Sequence, residues 1–411
     1  MMKKYFQSLL LLIIVIALVV AGGYIVSLIN GGDLEGTTPV FQVTDDSNDT
    51  SNTGGTETPS PTDRANDGDN IQQEKTLTIT AVGDILLGRG VGSRLKAAGR
   101  DYKYPFEKVV EYLQRGDIIF GNLEESITSS THCLYNINEG GKWVLKNDVS
   151  AIDSIKYAGF NLMNIANNHI LDYYETGLYD TINILDANNI AHAGAGSNLS
   201  EARKPAIIEK NGVKVGMLSY TDWADITYKG DPPLCFLATE TSSGVSPMYE
   251  SYIKEDIEKL RDQVDLLIVS LHWGYEESFY ISPEQRQFAY RILGYGADMI
   301  LGHHPHQFQG IEIYEGKPII YSLGNFIFDQ NDPENQESFI VEMKYVNNKL
   351  QSMYATPVRT MEKTQVVRPT GEDAAALLER QIRLCKELGT TCRIENDALV
   401  FEIEQQESSM Q

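Results

Sequence analysis

Short apolar segments alternate with longer amphipathic stretches from residue 75 onward, and most apolar segments end in an acidic, amide or imidazole side chain. Apolar runs of this kind, bounded by turn residues, are typical of buried strands. Strands that alternate with helices predict an α/β fold with a largely parallel sheet. The predicted strands cover residues 77–82, 117–120, 160–165, 215–220, 266–271, 299–301 and 318–322, and the predicted helices cover residues 106–114, 149–158, 176–188, 252–263 and 283–295.

The N-terminal segment has a different pattern. No charged residue occurs between residues 9 and 29, where Leu, Ile, Val and Ala dominate. A helix needs about 20 apolar residues to cross the bilayer core, and Lys3 and Lys4 are expected to stay in the cytoplasm. We therefore predict a cytoplasmic stub and signal-anchor transmembrane helix in residues 1–30, giving a single-pass protein of the cell membrane with an extracellular C-terminal domain. A cleaved signal peptide stays open as the alternative.

The remaining boundaries follow from changes in composition. Residues 31–74 are rich in Ser, Thr, Asn, Asp, Gly and Pro and carry almost no large apolar residue after Phe41. Such a segment buries too little apolar surface to offset the entropy of ordering it, so we predict a disordered acidic linker. Residues 75–368 are predicted to form the main domain. A C-terminal extension, residues 369–411, is expected to pack on that domain through a helix at 371–388 and a strand at 398–403.

Charge and cysteine usage narrow the classes of partner and site. The net charge of −23 argues against a nucleic-acid partner, because a phosphate backbone is bound by clustered Lys and Arg. The cysteines, Cys133, Cys235, Cys385 and Cys392, form no Cys-x-x-Cys pair, so a cysteine-based zinc site is not expected. Disulfides are permitted outside the cell, and three pairings stay open beside the alternative of unpaired thiols.

The strongest functional signal is the set of polar residues at the predicted strand ends. Ligands of open α/β sheets bind at the carboxyl ends of the strands, and imidazole and carboxylate groups together suit Zn, Mn or Fe. Taken alone, Asp84, Glu124 and Asn168 are more typical of structural roles such as caps and turns, and His272 is equally typical of a packed imidazole, whereas the run at residues 302–306 favours a metal or anion site. Taken together, they predict a site for one or two divalent metal ions formed by Asp84, Glu124, Asn168, His272, His304 and His306.

The same segments, in the same order, resemble the CapA family of poly-γ-glutamate capsule synthesis proteins. That family is similar to calcineurin-like metallophosphoesterases, so the resemblance implies two packed mixed sheets flanked by helices, an αββα sandwich. The segments that carry it span residues 83–326 and are Gly83-Asp84, Asn122-Leu123-Glu124, Asn167-Asn168-His169 with Asp172, His272-Trp273-Gly274, Gly302-His303-His304-Pro305-His306 and Ser322-Leu323-Gly324-Asn325-Phe326.

The resemblance also implies roles beyond metal binding. His169 stands where those enzymes have a general acid or a transition-state contact. Arg89 is expected to hold an anionic substrate through a bidentate contact, and Asn325 to orient the ligand or its own loop. Two residues depart from the metallophosphoesterase pattern: Leu86 replaces the histidine of an Asp-x-His motif, and Glu124 replaces a bridging aspartate.

The function expected from these features is accessory to capsule or poly-γ-glutamate synthesis or export. Its partners would be the membrane, polymer synthase or export subunits, and an anionic polymer or phosphoester ligand. One alternative is an extracellular metal-dependent phosphoesterase or related hydrolase acting on another substrate. A second is a catalytically silent binding module, which Leu86 and Glu124 favour, so the sequence does not decide whether the protein is an enzyme.

Overall fold

The computed structural model describes residues 74–134 and 144–403. The predicted signal-anchor helix and the acidic linker up to residue 73 lie outside the described residues. Within the described ranges, no helix is long and apolar enough to cross a membrane.

Strands make up most of the regular structure. In chain order they are β1 (Thr76–Ile85), β2 (Ile118–Leu123), β3 (Ser126–Ile127), β4 (Lys146–Asn147), β5 (Leu162–Asn164), β6 (Ala191–Ala193), β7 (Ala195–Gly196), β8 (Ala206–Lys210), β9 (Val213–Thr221), β10 (Thr227–Tyr228), β11 (Leu234–Cys235), β12 (Gly244–Val245), β13 (Leu266–His272), β14 (Met299–His303), β15 (Ile311–Tyr314), β16 (Lys317–Ile320), β17 (Asn325–Ile327), β18 (Glu337–Val346), β19 (Lys349–Met361), β20 (Gln365–Val367), β21 (Cys392–Glu395) and β22 (Ala398–Phe401).

Helices connect many of these strands. They are α1 (Arg89–Ala97), α2 (Val110–Leu113), α3 (Ala151–Ala158), α4 (Tyr174–Ala187), α5 (Leu199–Ala202), α6 (Glu250–Leu260), α7 (Pro283–Tyr295) and α8 (Gly371–Glu387), with single 3₁₀ turns at Arg261–Gln263 and Glu334–Gln336. The start of α7 shows why the sequence folds as it does. Ser282 and Gln285 form a reciprocal capping box, and Pro283 occupies the first helical turn, where its missing N–H has no cost.

Two mixed sheets form the body of the domain. The larger has the strand order β21-β22-β19-β18-β1-β2-β5-β6, with β17 and β20 paired to β1 and β19. Its β1, β2, β5 and β6 are parallel, whereas β18 and β19 run antiparallel. The smaller sheet has the order β15-β16-β14-β13-β9-β8, with a parallel centre and antiparallel edges. A mixed α/β architecture of packed sheets and helices is therefore confirmed, and the largely parallel sheet indicated by periodicity alone is wrong.

The apolar core is arranged in layers around these sheets. Leu77 and Ile79 of β1 lie in one cluster with Val215 and Met217 of β9, so this cluster fills the space between the sheets. A second cluster covers the outer face of the larger sheet, where β1 and β2 pack against α3 and α4. A third joins the outer face of β13 to α6 and α7. Alternate side chains of a strand point to opposite faces, so each central strand contributes to two layers.

Some elements differ from the sequence-based prediction. Helix α1 was not predicted, because Gly90 and Gly92 lower the helix propensity of its first turn. The predicted helix at 106–114 is regular only at Val110–Leu113, since the preceding residues form i to i+3 turns. Of the long β18–β19 hairpin, the sequence predicts only a closing strand at 350–358, because Glu342 and Lys344 interrupt the apolar pattern of β18.

The C-terminal residues continue the larger sheet. Strand β22 pairs with β19 at the sheet's edge, and Leu399 and Phe401 join the core between the sheets. Helix α8 contributes Leu377 and Leu378 to the same core. Cys385 and Cys392 are buried there as thiols. A hydrogen bond with the Cys392 thiol, together with burial, raises the pKa of the Cys385 thiol.

One glycine of the smaller sheet provides a test of this packing. A Cβ built on Gly302 would lie 1.9 Å from the Tyr321 carbonyl oxygen. We expect Gly302→Ala to lower the free energy of unfolding by about 1–3 kcal/mol or more, since an added methyl in a closed core displaces backbone. Urea unfolding of the full chain, followed by circular dichroism, measures the change.

Gly294 in α7 is the matched control, because a Cβ there would meet no atom within 4 Å. Gly294→Ala should be neutral or raise stability by up to about 1 kcal/mol through helix propensity. Equal effects of the two substitutions would contradict the close approach at Gly302.

Candidate functional site

The candidate site lies where the carboxyl ends of the central strands of both sheets meet. In the larger sheet, Asp84 at the end of β1 is the register partner of Asn122 in β2 on one side and of Asn325 in β17 on the other. In the smaller sheet, His272 at the end of β13 is the register partner of His303 in β14. His303 Nδ1 lies 3.2 Å from Asp84 Oδ1, so the polar strand ends of the two sheets are in contact.

Asp84, Glu124 and His306 form the first group of potential ligands. One ligand atom from each lies within 4.8 Å of the others, and all three residues are buried. His306 Nδ1 is 3.4 Å from Asp84 Oδ2, and its Nε2 is 4.0 Å from Glu124 Oε1. Three distant chain segments, the ends of β1 and β2 and the loop after β14, therefore meet at one point.

Burial and neighbouring charges shift the pKa values of these three residues in different directions. Burial by itself would raise the pKa of Asp84, but its contacts with His303 and His306 hold that pKa well below the usual range. Burial and the neighbouring charge of Asp84 raise the pKa of Glu124 well above its ordinary value. Burial would lower the pKa of His306, yet its close contact with the Asp84 carboxylate raises it. Asp84 and His306 thus favour each other's charged forms, whereas burial beside Asp84 disfavours the charged form of Glu124.

The donor set fits a divalent cation. Asp84 Oδ2 and Glu124 Oε1 are buried and, among the described residues, accept no hydrogen bond. A buried carboxylate oxygen without a donor is costly, and a cation between the two oxygens would satisfy both. His306 Nδ1 lies 2.9 Å from Asn325 Oδ1, which leaves Nε2 directed towards Glu124. Two carboxylates and one imidazole are ligand types for Mn, Zn or Fe.

Asn168, His272 and His304 form a second group beside the first. His272 Nε2 lies 2.9 Å from Asn168 Oδ1 and 3.1 Å from His304 Nδ1. Burial, with the neighbouring His304, lowers the pKa of His272 well below its ordinary value, and burial likewise lowers the pKa of His304 to about 3. Both imidazoles are therefore neutral at pH 7, which is the form that binds metals.

The loop that carries His304 and His306 has an unusual backbone. His304 has a φ of 97° and His306 a φ of 60°, a region that residues other than glycine rarely adopt. The His304 ring packs against Trp223, with 4.6 Å between ring centroids. Backbone and packing thus direct both imidazoles inward from one short loop.

A network of amides that sequence reasoning did not assign supports both groups. Asn122 Nδ2 donates to Asp84 Oδ1 at 2.8 Å and lies 3.5 Å from His272 Nδ1, so it links the first group to the second. Asn164 and Asn167 donate to Asn122 Oδ1 at 2.8 and 3.2 Å. Their position at or just beyond strand ends was visible in the sequence and could have identified these asparagines as part of the site.

An open cleft of about 900 Å³ leads to the first group, and His169 and His306 line it. His169 Nδ1 lies 2.8 Å from Asp172 Oδ2, which leaves the other ring nitrogen available to a ligand in the cleft. Asp172 also accepts a bond from the Leu145 N–H. Acidic side chains dominate the mouth of the cleft: Glu276, Glu277, Asp329 and Asp332.

The other sequence-predicted residues lie around this centre. Arg89 lines the same cleft, but its guanidinium is paired with Asp329 through Nε at 3.0 and 2.9 Å. Asn325 contacts His306 and donates to Gln330 and to a backbone carbonyl. Its amide therefore makes hydrogen bonds that stabilise the loops around His306 and Gln330. Leu86 packs in a small apolar cluster with Leu145 and Phe328, and no histidine takes its place.

Comparison with known proteins identifies close relatives. The family model described as bacterial capsule synthesis protein PGA_cap matches residues 78–330. The PGA biosynthesis protein CapA of Bacillus subtilis (strain 168) is 31% identical over 333 residues, which cover 80% of this chain and 83% of that protein. The capsule biosynthesis protein CapA of Bacillus anthracis is 32% identical over 296 residues, which cover 71% of this chain and 69% of the relative.

A solved structure of the Thermus thermophilus sulfate thiohydrolase SoxB in complex with glycerol is 12% identical, with a TM-score of 0.39 over 75% of this chain and 61% of that chain. This similarity is too low to support a functional comparison.

Glu125, directly after Glu124, fixes the loop that follows β1. Its carboxylate accepts hydrogen bonds from the Leu87 and Gly88 N–H groups at 2.9 Å and from Asn147 at 3.2 Å. The side chain is fully buried, and burial raises its pKa from an ordinary value of 4.5 to about 7 despite these bonds.

This carboxyl group should make stability depend on pH. Because its pKa is raised on folding, the native state binds more protons than the unfolded chain between about pH 4.5 and 7, and stability falls as the pH rises through that window. We expect the free energy of unfolding of wild type, relative to that of Glu125→Gln, to fall by roughly 2–3 kcal/mol from pH 4.5 to 7. Urea unfolding in the presence of a chelator measures it.

The exposed Glu107 provides the control, because Glu107→Gln removes a carboxylate that folding leaves in water. Its stability difference from wild type should stay constant over the same pH range. A constant difference for Glu125→Gln as well would show that the buried carboxyl does not titrate in this window.

Proposed function

The chain belongs to the bacterial capsule synthesis protein PGA_cap family, and from this membership we propose that it is an accessory protein of capsule or poly-γ-glutamate synthesis. The names of related proteins refer to PGA biosynthesis, capsule biosynthesis and polyglutamine synthesis. The resemblance to the CapA family drawn from the strand-end motifs is thereby confirmed. The finer parts of the proposal concern location, metal binding and chemistry.

The proposed location is outside the cell, tethered to the membrane. The support is the uncharged apolar stretch at residues 9–29, preceded by Lys3 and Lys4. The acidic spacer that follows would hold the domain away from the membrane, where synthase or export subunits and the growing polymer are within reach.

A single observation carries the proposed metal site: the buried oxygens Asp84 Oδ2 and Glu124 Oε1 lie 3.4 and 4.0 Å from ring nitrogens of His306 and, in the part of the chain that the structure describes, accept no hydrogen bond. Asp84, Glu124 and His306 would hold one divalent ion, and Asn168, His272 and His304 offer a second set of donors beside it. A bound ion would supply Lewis acidity towards a phosphoryl or carboxyl oxygen of the ligand. Asn325 positions the His306 ring through its Nδ1 contact.

His169 is the proposed proton donor of the cleft. Its Nδ1 lies 2.8 Å from Oδ2 of Asp172, a buried carboxyl group that orients the ring. The opposite ring nitrogen can then give a proton to a leaving oxygen of a ligand in the cleft. The contact with Asp172 is the observation that favours the second candidate function, a metal-dependent phosphoesterase acting on another extracellular substrate.

The accessory function is tested in a strain that makes surface polymer. Deleting the gene should lower the amount of cell-bound polymer, and the wild-type gene should restore it. A gene carrying His306→Ala should fail to restore it although the protein accumulates normally, because the variant lacks one proposed ligand. Polymer extracted from washed cells and protein measured by immunoblot give the two readouts.

The exposed His132 supplies a matched control, since His132→Ala removes an imidazole outside the site. This variant should restore the polymer fully. Unchanged polymer in the deletion strain would contradict the accessory function, whereas full restoration by His306→Ala would contradict only the role of the metal site.

The hydrolase is tested with the purified full chain on a panel of phosphoesters with Mn or Zn. His169→Ala should lower turnover by about 10²–10⁴-fold, the usual contribution of a general acid, while leaving the metal content unchanged. His306→Ala should lower both turnover and metal content, measured by elemental analysis. Absence of turnover with every metal by a protein that does bind metal would exclude the hydrolase and leave the accessory function standing.

A further inference from the structure

Two cysteines that the candidate site does not use lie side by side in the core. Cys385 lies in the last turn of α8, and Cys392 is the first residue of β21. Both belong to the apolar cluster between the two sheets, and both carry free thiols. A hydrogen bond connects the two thiols. The sulfur atoms are therefore neighbours, although residues 386–391 separate the two cysteines in the chain.

The turn between α8 and β21 fixes this arrangement. The Leu388 and Thr390 N–H groups both donate to the Cys385 carbonyl oxygen at 3.0 Å. Gly389 between them has a φ of 85°, and a left-handed glycine after the last helical turn commonly ends a helix and reverses the chain. Strand β21, which begins at Cys392, is then held in the larger sheet by its pairing with β22. The backbone thus returns the second cysteine to the end of α8.

The two thiols differ in access and in acidity. Cys385 is fully buried, and its Sγ accepts hydrogen bonds from the Ile311 N–H at 3.4 Å and from Gln381 Nε2 at 3.5 Å. Cys392 keeps 9% of its surface exposed, and the hydrogen bond with Cys385 lowers the pKa of its thiol. A thiolate is the nucleophile of thiol–disulfide exchange. Cys392 is therefore the thiol that reacts first with an external disulfide.

We propose that Cys385 and Cys392 form a disulfide bond that cross-links α8 to β21. The oxidant is a small disulfide such as oxidised glutathione. The Cys392 thiolate attacks one of its sulfur atoms, which forms a mixed disulfide and releases one glutathione. Cys385 then attacks the Cys392 sulfur, which closes the protein disulfide and releases the second glutathione. The two cysteines give up two protons and two electrons, and each departing glutathione thiolate takes up one proton.

The bond lies where the C-terminal extension contacts both sheets. Strand β22 pairs with β19 of the larger sheet. The Thr390 hydroxyl accepts a hydrogen bond of 2.9 Å from the Ile313 N–H of β15, in the smaller sheet. In α8, Gln381 donates to the Gln309 carbonyl at 2.9 Å. Closing the loop of residues 385–392 lowers the entropy of the unfolded chain, so the bond stabilises this junction.

The test exposes the purified full chain to oxidised and reduced glutathione, both in the folded state and during refolding from urea. Remaining thiols are blocked with N-ethylmaleimide, and tryptic peptides are identified by mass spectrometry. Cleavage after Arg383, Lys386 and Arg393 places the two cysteines in separate peptides, 384–386 and 387–393. The disulfide should join these peptides with the loss of two hydrogen atoms, and dithiothreitol should separate them.

The double variant Cys133→Ser, Cys235→Ser is the control, because it removes the other two cysteines of the chain. It should give the same linked peptides in the same yield. Three outcomes would overturn the proposal: links to Cys133 or Cys235 instead, glutathione left on Cys392 without ring closure, or thiols that stay reduced in both the folded and the refolded chain. Disulfides persist outside the cell, the proposed location, but purified protein makes the test independent of that location.

Stability gives a second readout. The oxidised chain should have a urea midpoint about 0.5–1 M above that of the reduced chain, because the cross-link constrains the unfolded state. Cys392→Ala should abolish this difference, whereas the control variant Cys133→Ser, Cys235→Ser should keep it. Equal midpoints for the oxidised and the reduced wild type would overturn the stabilising role of the bond.

Discussion

Burial of the Asp84 carboxylate is the constraint around which the rest of the site is built. A charged group without access to water is tolerated only when it is paired and hydrogen-bonded. Asn122 supplies a hydrogen bond from the neighbouring strand, and His303 and His306 approach from the other sheet. Those contacts require the two sheets to bring their carboxyl ends to the same level. The packing of the two sheets therefore also fixes the positions of the candidate metal-binding side chains.

The sequence predicted the parts of the fold that depend on local pattern. The buried strands were visible as apolar runs and helix α7 as a helix-like stretch, and the polar strand ends indicated where ligands would gather. Sheet order and the antiparallel β18–β19 hairpin depend on contacts between distant segments, which periodicity does not encode. The two-sheet architecture was predicted from the resemblance to the CapA family and not from the periodicity of apolar residues.

The division of the candidate ligands into two groups was equally beyond the sequence. It depends on which side of Asn122 each side chain reaches, and that follows from register between strands far apart in the chain. His303 was noticed as part of a histidine run, but its contact with Asp84 follows only from the meeting of the two sheets. Helix α1 was missed for a local reason, because glycines at its start concealed a helix that packing stabilises.

The left-handed backbone at His304 and His306 has a consequence for how an ion would arrive. Holding two non-glycine residues in that conformation costs energy, which the surrounding core supplies when the chain folds. Because the imidazoles already point inward, an incoming cation would not have to order the loop, and the entropic penalty of assembling a coordination sphere would be largely paid beforehand. The imidazoles of the candidate site are therefore held in position by the folded chain itself, before any ion binds.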